Sequence, residues 1–179
     1  KGVGYERWAK VFNVKQMAQT YNYLREHGLL DYEELEDRAA AATEQFHALS
    51  AQIKAAETRM AEIAVLKTHI ANYAKTRDVY AGYRKAGYSK KYLAEHEGDI
   101  LLHKAAKKAF DELGVKSLPS VKSLQEEYAK LLSEKKAAYA EYRRSRDEMR
   151  ELLLHKQNVD RMLGKNEREE EKKKEHDRQ

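Results

Sequence analysis

The sequence predicts an all-α protein: a long antiparallel helical hairpin of the coiled-coil type, with short N-terminal helices and a small helical insertion between the long helices. Composition is the first observation, because 36% of the residues are charged and proline occurs once in 179 residues, which is typical of long helices. The second is a pair of apolar stripes that step by alternating threes and fours, as in a coiled-coil seam. The third is the stretch between them, which is long enough for the chain to fold back.

The N-terminal region, residues 1–30, is predicted to form two short helices over 5–12 and 14–27. Asn13 is followed three residues later by Gln16, which is the spacing of a capping box at a helix start. The apolar residues then fall into two patches, Trp8, Val11 and Phe12 in the first helix and Val14, Met17, Tyr21 and Leu24 in the second.

The first long helix is predicted over residues 31–85. Gly28 suits the left-handed end of the preceding helix, and Asp31 suits the N-cap of the next one, with two glutamates in the turn where the helix dipole favours acids. The predicted seam consists of Leu35, Ala39, Ala42, Phe46, Leu49, Ile53, Ala56, Met60 and Ile63, and after a change of register near Lys67 it continues through Leu66, Ile70 and Tyr73.

The connection, residues 86–119, is predicted to carry helices of its own and to form the basic tip of the hairpin. Ser89 and Asp99 are the plausible N-caps, which indicate a short helix over 90–96 and a longer one over 100–113. Glu95, His96 and Glu97 are interpreted as a solvated polar turn rather than as an acid–base site.

The second long helix is predicted over residues 120–164, after the turn at Pro119. Residues 165–179 contain no apolar residue, so they are predicted to be either a solvated helix extension or disordered. The second stripe consists of Val121, Leu124, Tyr128, Leu131, Ala138, Tyr142, Met149, Leu152, Val159 and Leu163, with breaks at Lys135, Ser145 and Lys156.

Pairing of the two stripes within one monomer is preferred, because an intramolecular antiparallel pair needs no second chain. A homodimer is the alternative that the sequence leaves open. No apolar run approaches the length of a membrane span, so no membrane association is expected. The absence of cysteine excludes a disulfide framework and fits a reducing bacterial cytoplasm. The chain begins as if within a longer protein and is interpreted as a fragment.

The sequence lacks the motifs of a catalytic site, and neither an activity nor a cofactor is predicted for this segment. Its seven histidines are scattered, and there is no glycine-rich phosphate loop, nucleophile elbow or zinc-binding helix motif. Asp99 and His103 stand four residues apart and could share a metal, but a catalytic metal usually needs three protein ligands. Tyr21 is expected in the core and Tyr23 on the surface, neither with a neighbouring base to activate it.

A basic stretch with interleaved tyrosines is the better candidate for a binding site. Residues 61–119 carry eleven Lys and Arg against seven Asp and Glu. Clustered cations attract phosphates through counterion release, and aromatic rings can stack on single-stranded bases. The competing interpretation is that the tyrosines pack one end of the hairpin while the lysines keep its surface soluble. The candidate nucleic-acid-binding residues are Arg77, Arg84, Lys85, Lys90, Lys91, Lys104, Lys107, Lys108, Tyr83 and Tyr88.

Several strings are distinctive rather than generic for a coiled coil. They are GYERWAKVFNVKQMA over residues 4–18, YEEL over 32–35, YAKTRDVY over 73–80, YRKAGY over 83–88, LHKAAK over 102–107 and LPS over 118–120. They resemble the region that follows the nuclease domain in relaxase/mobilisation proteins of bacterial conjugative and mobilisable elements. The likeness covers nearly the whole chain up to Gly164.

This resemblance implies membership of a DNA-processing protein of horizontal gene transfer, with no catalytic residue in this segment. Relaxases nick one strand at a transfer origin with a tyrosine and a metal held by a histidine cluster, and those parts lie in their N-terminal domain. One expected function is an accessory segment whose basic tip binds single-stranded or origin-region duplex DNA. The alternative is an interaction arm that contacts a coupling protein, an accessory factor of the secretion machinery or another relaxase. An independent enzyme is the least favoured interpretation.

Overall fold

The computed structural model describes the backbone of residues 3–165 and the side chains of residues 10–165. Within that range the chain is all-α and contains no strand, as predicted, whereas nearly all of the predicted charged tail lies outside it. Among the described residues, no helix is long and apolar enough to cross a membrane. The helices are α1 (Val3–Glu26), α2 (Tyr32–Lys85), α3 (Lys90–Glu95), α4 (Glu97–Glu112) and α5 (Val121–Met162).

The predicted division of the N-terminal region into two helices is wrong, because α1 runs without interruption from Val3 to Glu26. The capping-box spacing at Asn13 and Gln16 does not start a new helix here. No glycine or proline lies between residues 5 and 26, and an asparagine inside a helix costs only about 0.7 kcal/mol relative to alanine. A continuous ladder of backbone hydrogen bonds outweighs that cost.

The end of α1 and the start of α2 are confirmed as the sequence predicts them. Gly28 has a φ of 67°, a conformation that favours glycine, and the Leu29 amide donates to the Leu24 carbonyl oxygen at 2.7 Å. This bond satisfies one of the free carbonyls at the helix end. Asp31 then caps α2, because its Oδ1 accepts from the Glu34 amide at 3.1 Å.

Within the connection, the short helix is confirmed and the start of the longer one is not. Ser89 caps α3 by accepting from the Tyr92 amide. Helix α4 begins at Glu97 rather than at residue 100, and His96, which precedes it, makes no side-chain capping bond. Asp99 therefore lies in the first turn of α4 instead of capping it, where its charge suits the helix dipole.

The chain divides into two compact units, and both long helices contribute to each. Unit 1 comprises residues up to 51 together with those from 139 onwards, and unit 2 comprises residues 52–138. The seam predicted on α2 is confirmed in both units, since seven of its nine positions from Leu35 to Ile63 are buried. The stripe predicted on α5 is confirmed only in part, because Val121, Tyr128 and Leu163 are exposed.

In unit 1, α1, α2 and α5 pack around a core in which Leu35 and Leu152 are each 1% exposed. The Phe46 ring lies 5.0 Å from that of Tyr142, and the Arg38 guanidinium lies 3.7 Å from a Glu148 carboxylate oxygen. Residues earlier on α2 thus meet residues later on α5, so the two helices run in opposite directions within this unit. The buried core residues are Leu24, Leu29, Leu35, Ala39, Ala42 and Leu152.

In unit 2, α4 joins α2 and α5 around a separate core. Arg59 Nε donates to a carboxylate oxygen of Glu127 at 2.7 Å, and Lys135 pairs with Glu57 at 2.7 Å. The hydrogen bond from Arg59 lowers the pKa of the Glu127 carboxyl, although partial burial opposes the shift. The buried core residues are Ile63, Leu66, Ala106, Phe110 and Leu124.

Candidate nucleic-acid interface

The floor of the candidate site is a stack of three rings in unit 2. His103, from α4, is 4% exposed and lies parallel to Tyr80 at 4.3 Å and to Tyr73 at 4.5 Å between ring centroids. Both tyrosines come from α2 and are separated by two helical turns, so the imidazole is held between them, one on each face. Stacked rings of this kind contribute about 0.5–1.5 kcal/mol per pair beyond area burial.

The hydrogen bonds of Thr76 determine the proton position on His103. The Thr76 hydroxyl donates to the Asn72 carbonyl oxygen at 2.7 Å, and it lies 3.1 Å from His103 Nδ1. Because a hydroxyl has one proton to donate, it accepts from His103, and Nδ1 carries the hydrogen. Burial lowers the pKa of His103, and the nearby Lys107 lowers it further. The imidazole is therefore neutral near pH 7, with an unprotonated Nε2.

Next to this stack lies a cleft with a volume of about 410 Å³. Four cationic side chains line it: Arg77 and Arg84 from α2, Lys107 from α4 and Lys116 from the segment between α4 and α5. Asp111 is the one carboxylate among its lining residues in the described part of the chain. The remaining lining residues are Tyr73, Tyr80, Ala81, His103, Phe110, Val115 and Leu118.

The structure thus brings three of the eight predicted cations together and separates them from the other five. Lys85, Lys90, Lys91, Lys104 and Lys108 are all exposed, and none is among the lining residues of the cleft. Lys104 lies 5.8 Å from the centre of the Tyr83 ring, and Lys108 lies 3.7 Å from a Glu112 carboxylate oxygen.

The two tyrosines proposed to stack on bases occupy different environments. Tyr83 is 7% exposed, and its ring contacts those of Tyr88 and Tyr92 at 5.2 and 6.2 Å, so it has no free face for a base. Tyr88 is 57% exposed and has a φ of 62°. Its backbone amide donates a hydrogen bond to the Tyr83 carbonyl oxygen at 3.0 Å, which holds this conformation. It does not line the cleft.

Sequence reasoning missed two residues of this site. Lys116 follows the helix-ending Gly114, and the only signal for it was a positive charge close to the basic stretch. His103 was considered as a metal ligand with Asp99, whereas the structure shows it stacked between tyrosines and bonded to Thr76. Among the side chains that the structure describes, those of residues 10–165, no group of three or more His, Cys, Asp or Glu could hold a metal ion.

The predictions for Tyr21 and Tyr23 in unit 1 are both wrong. Tyr21 is 55% exposed, whereas Tyr23 lies between His27 and His155 at 4.0 and 4.1 Å. Burial raises the pKa of the Tyr23 phenol, and Glu151 raises it further. This shift opposes the phenolate that a tyrosine nucleophile would require.

The arrangement in unit 2 can attract and hold a multiply charged anion. Cations from three chain segments face one concavity, where converging field lines raise the local concentration of anions. No protein-family model, curated protein or solved structure matches this chain.

Proposed function

We propose that this chain is the helical segment that follows the nuclease domain of a relaxase/mobilisation protein, and that it handles DNA during conjugative transfer in the bacterial cytoplasm. The distinctive strings over residues 4–18 and 73–80 support the relaxase assignment. The cationic cleft of unit 2 supports the DNA-handling role. We assign no catalytic residue to the segment, whose contribution is binding.

The observation that carries this proposal is the convergence of four cations on one cleft. Arg77 lies 3.8 Å from Asp78, but both side chains are largely exposed, so water screens this pair and it holds Arg77 weakly. Among the described residues, Arg84, Lys107 and Lys116 have no carboxylate within ion-pair distance. Such cations release bound counterions when they contact phosphates, which supplies most of the affinity of nucleic-acid binding.

The competing interpretation, that these lysines and arginines only keep the surface soluble, explains the five scattered cations better than the four in the cleft. Solubility requires charges that are exposed and dispersed. It does not require Arg84, Lys107 and Lys116 to reach the same concavity from three segments. Holding like charges together raises the electrostatic energy of the folded chain, and a bound anion would offset that energy.

The test is a salt titration of DNA binding with two variants of equal charge. The cleft variant carries Arg84→Gln and Lys107→Gln, and the matched control carries Lys90→Gln and Lys91→Gln on α3, outside the cleft. Each lost phosphate contact should reduce the slope of log K against log salt by about 0.7 for a single strand or 0.9 for a duplex. The cleft variant should therefore lose about 1.5 from its slope, and the control should keep the native slope.

Equal slopes for the two variants would show that net charge alone attracts DNA, which would contradict the cleft as the binding site. Circular dichroism of both variants provides the structural control, because surface substitutions usually change stability by less than about 0.5 kcal/mol. If the native chain binds neither single-stranded nor duplex DNA at low salt, the DNA-handling role is wrong.

The interaction-arm alternative has an observation of its own, the exposed apolar side of α1. Val11, Val14 and Tyr21 are 65%, 66% and 55% exposed, and their spacing of three and seven residues places them on one helical face. Such a face suits a partner helix from the transfer machinery. Cross-linking of the native chain and a Val14→Lys variant to a coupling protein would test it, since a charge at this position should prevent the contact.

A further inference from the structure

We infer that unit 1 carries a self-association surface, on which α2 and α5 meet the same two helices of a second copy of this chain. The inference goes beyond the DNA-handling function and does not depend on it, because the surface lies in unit 1 and the cationic cleft in unit 2. Two observations carry it: an open apolar groove between α2 and α5, and opposite charges on the two sides of that groove. The seam that joins α2 to α5 within each chain stays intact in this arrangement.

The groove lies between α2 and α5 and has a volume of about 560 Å³. Its apolar surface comes from Ala39 and Ala40 on α2 and from Leu153 on α5, which is 41% exposed. In the described part of the chain, all of its lining residues belong to these two helices. Because alanine side chains are short, a further helix can approach this face closely.

Helix α1 lies on another side of α5 and leaves the groove open. Its Thr20 contacts His155 and Asn158 of α5. Leu153 lies about 160° from His155 around the α5 axis, since each residue turns the helix by about 100°. An apolar groove also does not suit residues 166–179, which contain no apolar residue. Among the described residues, the groove thus has no third helix to cover it.

The two sides of the groove carry opposite charges. On α2, Glu36 and Glu44 line the groove. On α5, Arg146 and Arg150 lie seven and three residues before Leu153 and therefore share its helical face. Among the described residues, Glu36, Glu44 and Arg150 form no ion pair within the chain. Their charges are therefore available to a partner.

This charge pattern selects one of the two ways in which the surface can meet its own copy. A two-fold axis across the helices would place α2 on α2 of the second copy and oppose like charges. A two-fold axis parallel to the helices places each α2 on α5 of the second copy, so that the acidic side meets the basic side. Such a contact is self-complementary and closes at two copies.

Contacts within unit 1 fix the level at which the charges of the two helices lie. Arg38 lies beside Glu148, and the Phe46 ring lies beside that of Tyr142. Each step forward along α2 therefore corresponds to a step backward along α5. A two-fold axis parallel to the helices preserves these levels, so residues that lie side by side in one chain also lie at the same level across the two copies.

At these levels, each acid of the groove meets a basic residue of the second copy. Glu36 lies within about one helical turn, 5.4 Å, of the level of Arg150, and Glu44 lies as close to the level of Arg146. Arg146 also lies 3.0 Å from Asp147 of its own chain, whose side chain is 65% exposed, so water screens this pair and it holds Arg146 weakly. By symmetry, both contacts occur twice in the dimer.

The size of the surface indicates a weak dimer. From Glu36 to His47, the groove side of α2 spans about 18 Å, and two adjacent helices are about 20 Å wide. The projected area is therefore roughly 400 Å², compared with about 800 Å² per partner in a standard stable interface. The dissociation constant should lie at about 10–100 µM, within reach of a dilution series.

Sedimentation velocity of the full chain without DNA, from about 1 to 300 µM at low salt, measures this dimer. Two charge-reversal variants test the surface, Glu36→Arg/Glu44→Arg and Arg146→Glu/Arg150→Glu. Each should weaken the dimer by roughly tenfold or more, because every substitution acts twice and opposes like charges. An equimolar mixture of the two variants should dimerise within about threefold of the native affinity, since each reversed side then meets the opposite charge.

A pair of adjacent leucines provides the matched apolar test. Leu153→Asn should weaken the dimer by roughly tenfold, because Leu153 lines the groove. Leu154 is similarly exposed, at 49%, but points about 100° away around α5 and is not among the lining residues. Leu154→Asn should therefore leave the dimer within about twofold of the native affinity. Circular dichroism of every variant verifies that the helices form.

The outcomes decide the inference without reference to DNA. A native chain that stays monomeric throughout the series overturns it, and so does a dimer that Leu153→Asn and Leu154→Asn affect equally. The first charge variant gains four positive charges and the second loses four, so repulsion by net charge alone would weaken the first dimer and strengthen the second. That result also overturns the inference. Weakening of both variants, with recovery in their mixture, supports the surface, and the DNA titration of unit 2 stays a separate test.

Discussion

Removal of the hydroxyl of Thr76 tests the architecture beneath the cleft. In Thr76→Val the isosteric side chain no longer accepts from His103 Nδ1, which lies 3.1 Å from the native hydroxyl. Thr76 is 1% exposed and His103 is 4% exposed, so water does not readily replace the lost partner. A buried donor left without an acceptor costs about 1–3 kcal/mol, and the free energy of unfolding should fall by that amount in urea titrations.

Thr68 provides the matched control, because it lies on the same helix and also donates to the carbonyl oxygen four residues earlier, at 3.1 Å. Its hydroxyl is exposed and has no histidine partner. Thr68→Val therefore measures the loss of the intrahelical bond and the small difference in helix propensity, which together should stay within about 0.5 kcal/mol. The excess cost of Thr76→Val is the contribution of the bond to His103.

A double-mutant cycle with His103→Phe isolates this contribution. Phenylalanine can keep the stack with Tyr73 and Tyr80 but brings no polar hydrogen that requires an acceptor. In that background Thr76→Val should cost less than about 0.5 kcal/mol, since replacing both partners by apolar groups is nearly neutral. If Thr76→Val destabilises the chain no more than Thr68→Val, or costs the same with phenylalanine at position 103, the assigned hydrogen bond does not hold the stack.

Three further predictions concern two buried residues of unit 1 and one position of the α2 seam in unit 2. Ser145→Ala should raise the free energy of unfolding by about 1 kcal/mol, because the buried Ser145 hydroxyl has no hydrogen-bond partner among the described residues. The control Ser133→Ala, at an exposed position, should raise it by only about 0.5 kcal/mol through helix propensity, and equal gains would contradict this prediction. Ile53→Asp should lower the free energy of unfolding by about 3 kcal/mol or more, because it places an unpaired charge at a buried position. If its urea midpoint equals that of the control Lys54→Asp, at an exposed position, the predicted seam is wrong. Because burial lowers the pKa of His155, the unfolded chain binds the proton more readily, and stability should decline as the pH falls below about 6.5. His155→Phe should show a smaller acid loss in urea midpoints between pH 7 and 5, and an identical loss would exclude this histidine as the source.

The all-α class, the α2 seam and several helix ends could be predicted from the sequence because their causes are local. A seam with a strict heptad repeat, as from Leu35 to Ile63, can bury its apolar residues on only one side of a helix. Gly28 and Asp31 act through their own backbone and the next turn. Such features depend on neighbours within four residues, which the sequence shows directly. The relaxase assignment also comes from the sequence, and it remains a prediction.

Contacts between distant segments decide which of two possible helix faces meets a neighbour and which residues far apart in the sequence converge. Helix α1 has apolar residues on more than one side, so periodicity alone placed Tyr21 in the core, whereas packing against α5 buries Thr20 and partly buries Tyr23. Likewise, only the folded chain brings Lys116 to the same cleft as Arg84 and buries Tyr83. Helical periodicity specifies which residues share a face, but the identity of the buried face depends on contacts between segments far apart in the chain.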